Sequence, residues 1–117
     1  MTRSENDGRI DYIEMGVRDL ERAKKFYGDV FGWTFRDYGP TYAEFFDGRL
    51  RGGFTTETQP GTGGPLVVLY GDNLAAMQDR IEAAGGQIIK AVFDFPGGQR
   101  FHFTDPDGYE MAVWTKV

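Results

Sequence analysis

The sequence predicts an α+β fold made of two β-α-β-β-β modules. Asp19-Leu20 opens a stretch with helical apolar spacing after a short strand-like run, and Asp72-Asn73-Leu74 does the same later in the chain. Each unit then runs into further strand-like segments that carry an Asp-Gly turn, at Asp47-Gly48 and at Asp107-Gly108. A pattern that occurs twice predicts a duplicated structural unit. We therefore expect helices on one face of each sheet, and two sheets that curl around a shared cleft.

The first module is predicted over about residues 9–57. Apolar and polar residues alternate in its first segment, which is typical of a strand with two environments. Asp19 fits a helix N-cap and Gly32 a helix end, while Asp47-Gly48 suits a tight hairpin. The predicted elements are a strand over 9–17, a helix from Asp19 to Gly32, and strands over 33–38, 41–46 and 49–56.

The second module is predicted over about residues 65–115, after a linker rich in Thr, Gly and Pro. Gly85-Gly86 marks the end of its helix, and Asp105-Pro106-Asp107-Gly108 has the residue placement of a type I turn. The predicted elements are a strand over 66–70, a helix from about Asp72 to Ala84, and strands over 87–95, 100–104 and 109–115. Together the modules make a single domain over residues 9–115.

Composition restricts the class of protein and of partner. The 117 residues, 40% of them hydrophobic and 15% aromatic, suit one globular domain with a stable core. A net charge of -5 argues against nucleic-acid and anionic-membrane partners, which require a cationic face. Because the chain has no cysteine, disulfides and thiolate chemistry are excluded. The longest apolar run is too short to span a bilayer and the start lacks a secretory signal, so we expect a cytoplasmic location.

Four segments, over residues 19–27, 30–33, 83–86 and 103–108, resemble the vicinal-oxygen-chelate superfamily. That superfamily includes glyoxalase I, bleomycin-resistance proteins and extradiol dioxygenases. The resemblance implies paired modules that form a deep, side-open cup of curved sheet. It also implies a homodimer, since many relatives pair or exchange modules. In the metal-dependent members, four side chains on four strands hold a divalent ion in the cup.

The positions that the resemblance assigns to those metal ligands hold unsuitable residues here. They are Tyr12, Gly52, Leu66 and Ala112. If the second or the fourth position is displaced by one residue, it holds Arg51, Gly53, Met111 or Val113 instead. Divalent transition ions need three or four converging nitrogen or oxygen donors. We therefore expect no metal and no other cofactor. Glu14 and His102 could hold an ion only together with donor atoms that a bound ligand supplies.

Strand alternation from those four positions predicts which side chains line the cup. The inward set includes Val68, Tyr70 and Glu110, and the predicted ligand-binding residues are Tyr12, Glu14, Phe54, Arg100, His102 and Trp114. Aromatic walls with a few polar groups are typical of small-molecule sites. Arg100 suits a carboxylate, and His102 suits a general base oriented by Glu14.

Three functions remain open at this point. The first is a metal-free small-molecule binding protein of the glyoxalase/bleomycin-resistance type. The second is a lyase or isomerase related to lactoylglutathione lyase, which acts on a small carbonyl compound through His102 and Glu14. The third is a structural or regulatory domain with no ligand of its own.

Overall fold

The structure is a computed structural model that describes residues 5–117. Within those residues the elements are β1 (Tyr12–Gly16), α1 (Leu20–Phe31), β2 (Thr34–Asp37), β3 (Tyr42–Phe46), β4 (Arg51–Thr55), β5 (Val67–Tyr70), α2 (Leu74–Ala83), β6 (Gln87–Phe95), β7 (Gly98–Thr104) and β8 (Glu110–Lys116). Every predicted element is present, and only the ends differ by a few residues. The predicted α+β fold of two β-α-β-β-β modules is confirmed.

Each helix begins at a side-chain cap, but the capping residue differs between the modules. The Asp19 carboxylate accepts a hydrogen bond from the backbone N–H of Arg22 at 3.0 Å, as predicted. Before α2 the cap is Asn73, which accepts from the N–H of Ala76 at 3.0 Å, so this helix begins later than the predicted Asp72. Asn and Asp serve this role equally well. Neither helix of residues 5–117 has the length and apolar character needed to cross a membrane.

The two modules form two four-stranded sheets with the same topology. The strand order is β1-β4-β3-β2 in the first sheet and β5-β8-β7-β6 in the second. In each sheet the strand before the helix pairs in parallel with the last strand of the module, and the other pairs are antiparallel. The duplication in the sequence is therefore a duplication of topology.

The hydrophobic core is shared, because α1 packs against both sheets. The Tyr27 ring lies 5.4 Å from that of Phe54 in the first sheet, measured between centroids. The neighbouring Phe26 ring lies 6.4 Å from that of Phe103 in the second sheet. Helix α2 contacts α1 and three strands of the second sheet. The buried side chains of both modules consequently form one cluster.

The face of each sheet opposite to this core is called its outer face here. The first outer face carries Tyr12, Glu14, Tyr42, Glu44, Arg51 and Gly53. The second outer face carries Val68, Tyr70, Arg100, His102, Glu110, Ala112 and Trp114. Between the described side chains, no hydrogen bond, ion pair or ring contact joins the two outer faces.

The turn between β7 and β8 also holds the modules together, which the sequence analysis did not predict. The Asp107 carboxylate accepts from the backbone N–H of Arg18 at 3.0 Å and from Nη2 of Arg22 at 2.9 Å. The Tyr27 hydroxyl donates to Asp105 at 2.7 Å. Burial raises the pKa of Asp105, while that hydrogen bond acts in the opposite direction. Polar contacts to buried carboxylates thus fix the first module against the second.

Candidate functional site

The six predicted ligand-binding residues do not share one face of the chain. They divide into Tyr12 and Glu14 on the first outer face, Arg100, His102 and Trp114 on the second, and Phe54 in the core. The structure therefore brings together three of the predicted residues. The second outer face is the better candidate for a site, since it also carries the aromatic groups described below.

The predicted orientation of Phe54 is wrong. Phe54 pairs with Met15 across β1 and β4, so its side chain lies on the core side of the sheet. It is 0% exposed, and its ring lies 4.9 Å from that of Phe45 and 5.4 Å from that of Tyr27. Phe54 therefore stabilises the core and cannot touch a ligand on the outer face.

The error arises from a one-residue slip at Gly52. A Cβ atom added to Gly52 would lie 2.2 Å from the ring of Phe45, which belongs to the core. A Cβ atom added to Gly53 would instead lie 2.0 Å from the hydroxyl of Tyr42 on the outer face. The residue of β4 that faces outward is therefore Gly53, which was one of the alternatives for the second metal-ligand position.

A linear chain of hydrogen bonds joins three side chains of the first outer face. The Tyr42 hydroxyl donates to Oε2 of Glu14 at 2.9 Å, and the Tyr12 and Tyr42 oxygens lie 2.7 Å apart. Because a hydroxyl has one proton, Tyr12 must be the donor to Tyr42. The pKa of Tyr42 is raised mainly by burial and, to a smaller extent, by these hydrogen bonds. Tyr42 was not predicted as part of this face, because nothing in the sequence places a hydroxyl of β3 beside the missing side chain of Gly53.

The predicted contact between His102 and Glu14 is wrong. Nδ1 of His102 lies 2.8 Å from Oε2 of Glu110, two positions before Ala112 on β8. A carboxylate at this distance keeps the proton of the neutral imidazole on Nδ1. Nε2 is buried and has no hydrogen-bond partner among the described residues. Glu110, not Glu14, is the residue that orients the imidazole.

Two phenylalanines lie beside Arg100, and neither was predicted as a site residue. The guanidinium carbon lies 5.3 Å from the ring centroid of Phe93 and 5.3 Å from that of Phe95. The Phe95 ring in turn lies 6.1 Å from that of Trp114, which packs edge-on against Tyr70 at 5.1 Å. The result is an aromatic surface with a cation held inside it.

This surface borders a hollow of about 340 Å³. The residues that line it are Val68, Phe95, Pro96, Gly97, Arg100 and Trp114. Small-molecule sites typically have mostly apolar walls and a few fixed polar groups, which describes this set. The hollow is a candidate ligand site on the second module alone.

A larger cavity of about 600 Å³ lies between the modules, at the edge strands β1 and β5. Its walls include Ile13 and Met15 of β1, Val67 and Leu69 of β5, and Met77 of α2. These are side chains that the sequence pattern directs toward the helices. Of the six predicted site residues only Trp114 borders this cavity, together with Val68 and Tyr70 of the second outer face, so most of its apolar wall belongs to the core side of the sheets.

The family model of the glyoxalase/bleomycin resistance protein/dioxygenase superfamily matches residues 9–113. The chain belongs to this superfamily. The match spans both modules and agrees with the predicted resemblance. It fixes the family and the fold, whereas the reaction or ligand of a member depends on its site.

Sequence relatives within the superfamily are distant. CFP32 of Mycobacterium bovis is 29% identical over an alignment of 127 positions, which covers 96% of this chain and 48% of that protein. The anthracycline biosynthesis protein DauV of Streptomyces sp. is 29% identical over an alignment of 130 positions, which covers 93% of this chain and 47% of that protein. The chain thus spans about half the length of these two relatives.

Solved structures of the superfamily share the fold. A glyoxalase/bleomycin resistance protein/dioxygenase family enzyme from Burkholderia phytofirmans has a TM-score of 0.80 and 19% identity, and the match covers 92% of this chain and 100% of that one. The fosfomycin resistance protein FosX from Mesorhizobium loti has a TM-score of 0.73 and 16% identity, covering 94% and 93%.

The donors at the positions implied for metal ligands do not fit a divalent ion. With the corrected register those positions hold Tyr12, Gly53, Leu66 and Ala112. The Tyr12 hydroxyl is engaged with Tyr42, and the other three have no side-chain donor. Within residues 5–117, no three His, Cys, Asp or Glu side chains lie close enough together to hold an ion. No step of the proposed function therefore involves a metal.

Proposed function

We propose that this chain binds a small organic molecule, without a metal ion, in the hollow of the second outer face. The observation that carries the proposal is the Arg100 guanidinium, which lies 5.3 Å from each of two phenyl rings and beside Trp114, with no acidic partner among the described residues. A fixed cation in an aromatic surround favours a ligand that completes its hydrogen bonding. A ligand that stacks on Trp114 and reaches Arg100 meets both requirements.

The name of one relative agrees with this proposal. DauV is named as an anthracycline biosynthesis protein, which is a role in the chemistry of small organic molecules. Because this chain spans 47% of DauV, no reaction of the whole protein is carried over. What the relative supports is a small organic molecule as the ligand.

A lyase or isomerase is the second candidate, and the pair of His102 and Glu110 favours it. A carboxylate 2.8 Å from Nδ1 leaves the lone pair of Nε2 available as a general base. However, Nε2 has less than 1 Å² of exposed surface, so a substrate reaches it only after a neighbouring side chain moves. Binding is therefore the primary proposal. If the catalytic alternative holds, His102→Ala abolishes turnover of a small carbonyl substrate while leaving ligand affinity within about threefold.

Two copies of the chain are proposed to pair through their outer faces. Tyr12, Val68 and Tyr70 are 37%, 43% and 45% exposed, which is high for large apolar side chains on sheet faces. A second copy laid over these groups would cover them. Sedimentation equilibrium tests this directly: twice the 13.2 kDa chain mass is expected, and a single-chain mass at high micromolar concentration contradicts it.

The other expectations about partners and location rest on the sequence alone. The net charge of -5 remains the argument against nucleic-acid and membrane partners. The cytoplasmic location stays a prediction.

Native mass spectrometry and calorimetry test the binding proposal together. Freshly purified protein is expected to carry no stoichiometric transition metal, and to bind members of a panel of planar aromatic acids, amides and amines. Trp114→Ala should weaken this binding about tenfold or more, because the stacking surface is lost. Tyr38→Ala is the matched control, since Tyr38 is an exposed aromatic residue, at 51%, that directly follows β2 in the first module. Equal binding by Trp114→Ala and the native protein, or a stoichiometric transition metal, would contradict the proposal.

A further inference from the structure

We infer that the hollow of the second outer face selects anionic ligands, namely planar apolar molecules that carry a carboxylate, and that Arg100 pairs with the carboxylate. The inference rests on the proposed function and adds the chemical class of the ligand. Its evidence is the environment of the guanidinium, the absence of an internal counter-ion, and the strand irregularity that builds the site.

The side chain of Arg100 is held in place by its neighbours. Its guanidinium lies against Phe93 and Phe95 at equal distances of 5.3 Å. Its Nε atom has less than 1 Å² of exposed surface and no hydrogen-bond partner among the described residues. Contacts with two aromatic rings reduce the rotational freedom that an exposed arginine would lose on binding. The two Nη groups of Arg100, which are not among the buried atoms, are thus presented to a ligand in advance, whereas Nε is shielded from it.

The positive charge of Arg100 has no internal counterpart. A guanidinium stays protonated at all relevant pH values and offers five N–H donors. On the second outer face the one carboxylate, Glu110, is hydrogen-bonded to His102. No hydrogen bond or ion pair links Arg100 to another side chain of residues 5–117. A partly buried charge without a partner is unfavourable, and a ligand carboxylate removes that penalty through two parallel hydrogen bonds.

Arg51 on the first outer face shows how the same chain arranges an arginine that needs no ligand. Its guanidinium lies 4.6 Å from the ring centroid of Phe46, so it too packs against an aromatic side chain. Unlike Arg100, it also forms an ion pair with Glu44 at 3.1 Å. The missing carboxylate at Arg100 is therefore the feature that distinguishes the two sites.

The surround of Arg100 depends on irregular pairing between β6 and β7. Gln87 pairs with Thr104, and an unbroken antiparallel ladder from that pair would bring Ala91 opposite Arg100. Two register shifts, on either side of Lys90, bring Phe93 there instead. Bulges that redirect side chains are common next to binding sites. Here they replace a methyl group with an aromatic ring at the position that contacts the guanidinium.

The rest of the hollow suits a flat apolar body. Val68 and Trp114 form its walls beside Arg100, and its volume is about 340 Å³. This volume is at the lower end of the range of about 300–1,000 Å³ for small-molecule sites. A bicyclic aromatic acid is of this size and shape.

Three naphthalene probes of one shape and different charge test the inference by calorimetry: 2-naphthoate, 2-naphthamide and 2-naphthylmethylammonium. The native protein should bind the carboxylate about tenfold or more tightly than the amide, and the ammonium most weakly. Arg100→Gln should remove the preference of carboxylate over amide, and Arg100→Lys should keep part of it, because charge is retained without the planar fork. Arg51→Gln, at the paired arginine, should bind all three probes as the native protein does.

The outcomes separate this inference from the proposed function. If the amide binds as tightly as the carboxylate while Trp114→Ala weakens both, the site exists and the anionic class is wrong. If none of the probes binds, both proposals fail. Should Arg100→Gln not fold, as judged by circular dichroism, Arg100→Lys still decides the question, since an unchanged preference in that variant overturns the role of the guanidinium fork.

Discussion

The two outer faces differ in whether their polar groups satisfy one another. On the first, Tyr12, Tyr42 and Glu14 form a hydrogen-bonded chain, and the arginine is paired with a glutamate. On the second, Arg100 has no acidic partner and Nε2 of His102 is unpaired among the described residues. Two sheets of identical topology can therefore carry one surface whose polar groups pair with one another and one surface with unpaired polar groups. The duplicated fold supplies the framework, and the side chains decide its use.

The difference begins at the last strand of each module. The centre of β4 carries Gly53 on its outer face, and the Tyr42 hydroxyl lies where a Cβ atom would be. The centre of β8 carries Ala112 at the corresponding outward position, beside His102. The third strand differs as well, because Tyr42 stands opposite Thr55 in the first sheet and Arg100 stands opposite Trp114 at the equivalent place in the second. A glycine-to-alanine change and a tyrosine-to-arginine change together separate the two arrangements.

The largest expected effect comes from adding a side chain at Gly52, on the core side of β4. In Gly52→Ala the new Cβ atom would lie 2.2 Å from the backbone oxygen of Ile13, so β1 and β4 cannot keep their distance. The free energy of unfolding should fall by about 4 kcal/mol or more, measured by urea titration. Gly61→Ala is the control, because its Cβ meets nothing within 4 Å. Equal stability of the two variants would show that the first sheet does not depend on this close approach.

A smaller effect is expected from the Asp-Gly turns, which are equivalent between the modules but differ in burial. Asp105→Asn should lower the free energy of unfolding by about 1–3 kcal/mol, because the buried carboxylate accepts from Tyr27 and from the turn backbone. Asp47→Asn should cost less, since that side chain is exposed and water replaces the lost contacts. A comparable loss in both variants would contradict the difference in burial.

The same variant makes a prediction about pH. Burial raises the pKa of Asp105 above its ordinary value of 3.8, so the folded state holds this proton more tightly than the unfolded chain does. Its contribution to stability is therefore complete below about 3.8 and is lost as the pH rises through the folded-state pKa. Because Asn does not titrate, the stability difference between native protein and Asp105→Asn should narrow as the pH rises across this interval. Thermal unfolding at a series of acidic pH values measures it, and a widening difference would refute the sign.

The smallest expected effect tests whether the first outer face is purely structural. Tyr42→Phe removes the central hydroxyl of the chain between Tyr12 and Glu14, and should cost about 1 kcal/mol because water can reach both remaining partners. Binding of 2-naphthoate should be unchanged. A loss of affinity in this variant would show that the two outer faces act on one ligand, and would remove the distinction between them.

Local patterns predicted most of the fold. The helix cap at Asp19, the helix end at Gly32 and the Asp-Gly turns depend on neighbouring residues, which the sequence displays directly. The register of β8 was also predictable, because Met111 and Val113 are apolar and Glu110, which alternates with them, is charged. In β4 the two central glycines have no side chains, so alternation gives no signal and the orientation of Phe54 was predicted wrongly.

The candidate site was less predictable, because its contacts join distant strands through irregular pairing. The position of Phe93 beside Arg100 depends on two bulges in β6, and no residue pattern marks where they occur. The pairing of His102 with Glu110 was available from the sequence in principle, since both were predicted to point inward. Glu14 was predicted to point inward as well, and strand alternation alone does not tell which of the two glutamates lies beside His102.

The position of α1 between both sheets has a consequence for how the molecule melts. Phe26 covers Phe103 of the second sheet while Tyr27 covers Phe54 of the first, so losing either half strips apolar cover from the other. Scanning calorimetry should accordingly show one cooperative transition, not two, despite the internal repeat. Fragments separated within the 57–65 linker would each expose half of an interior, and would be expected to reassociate when mixed.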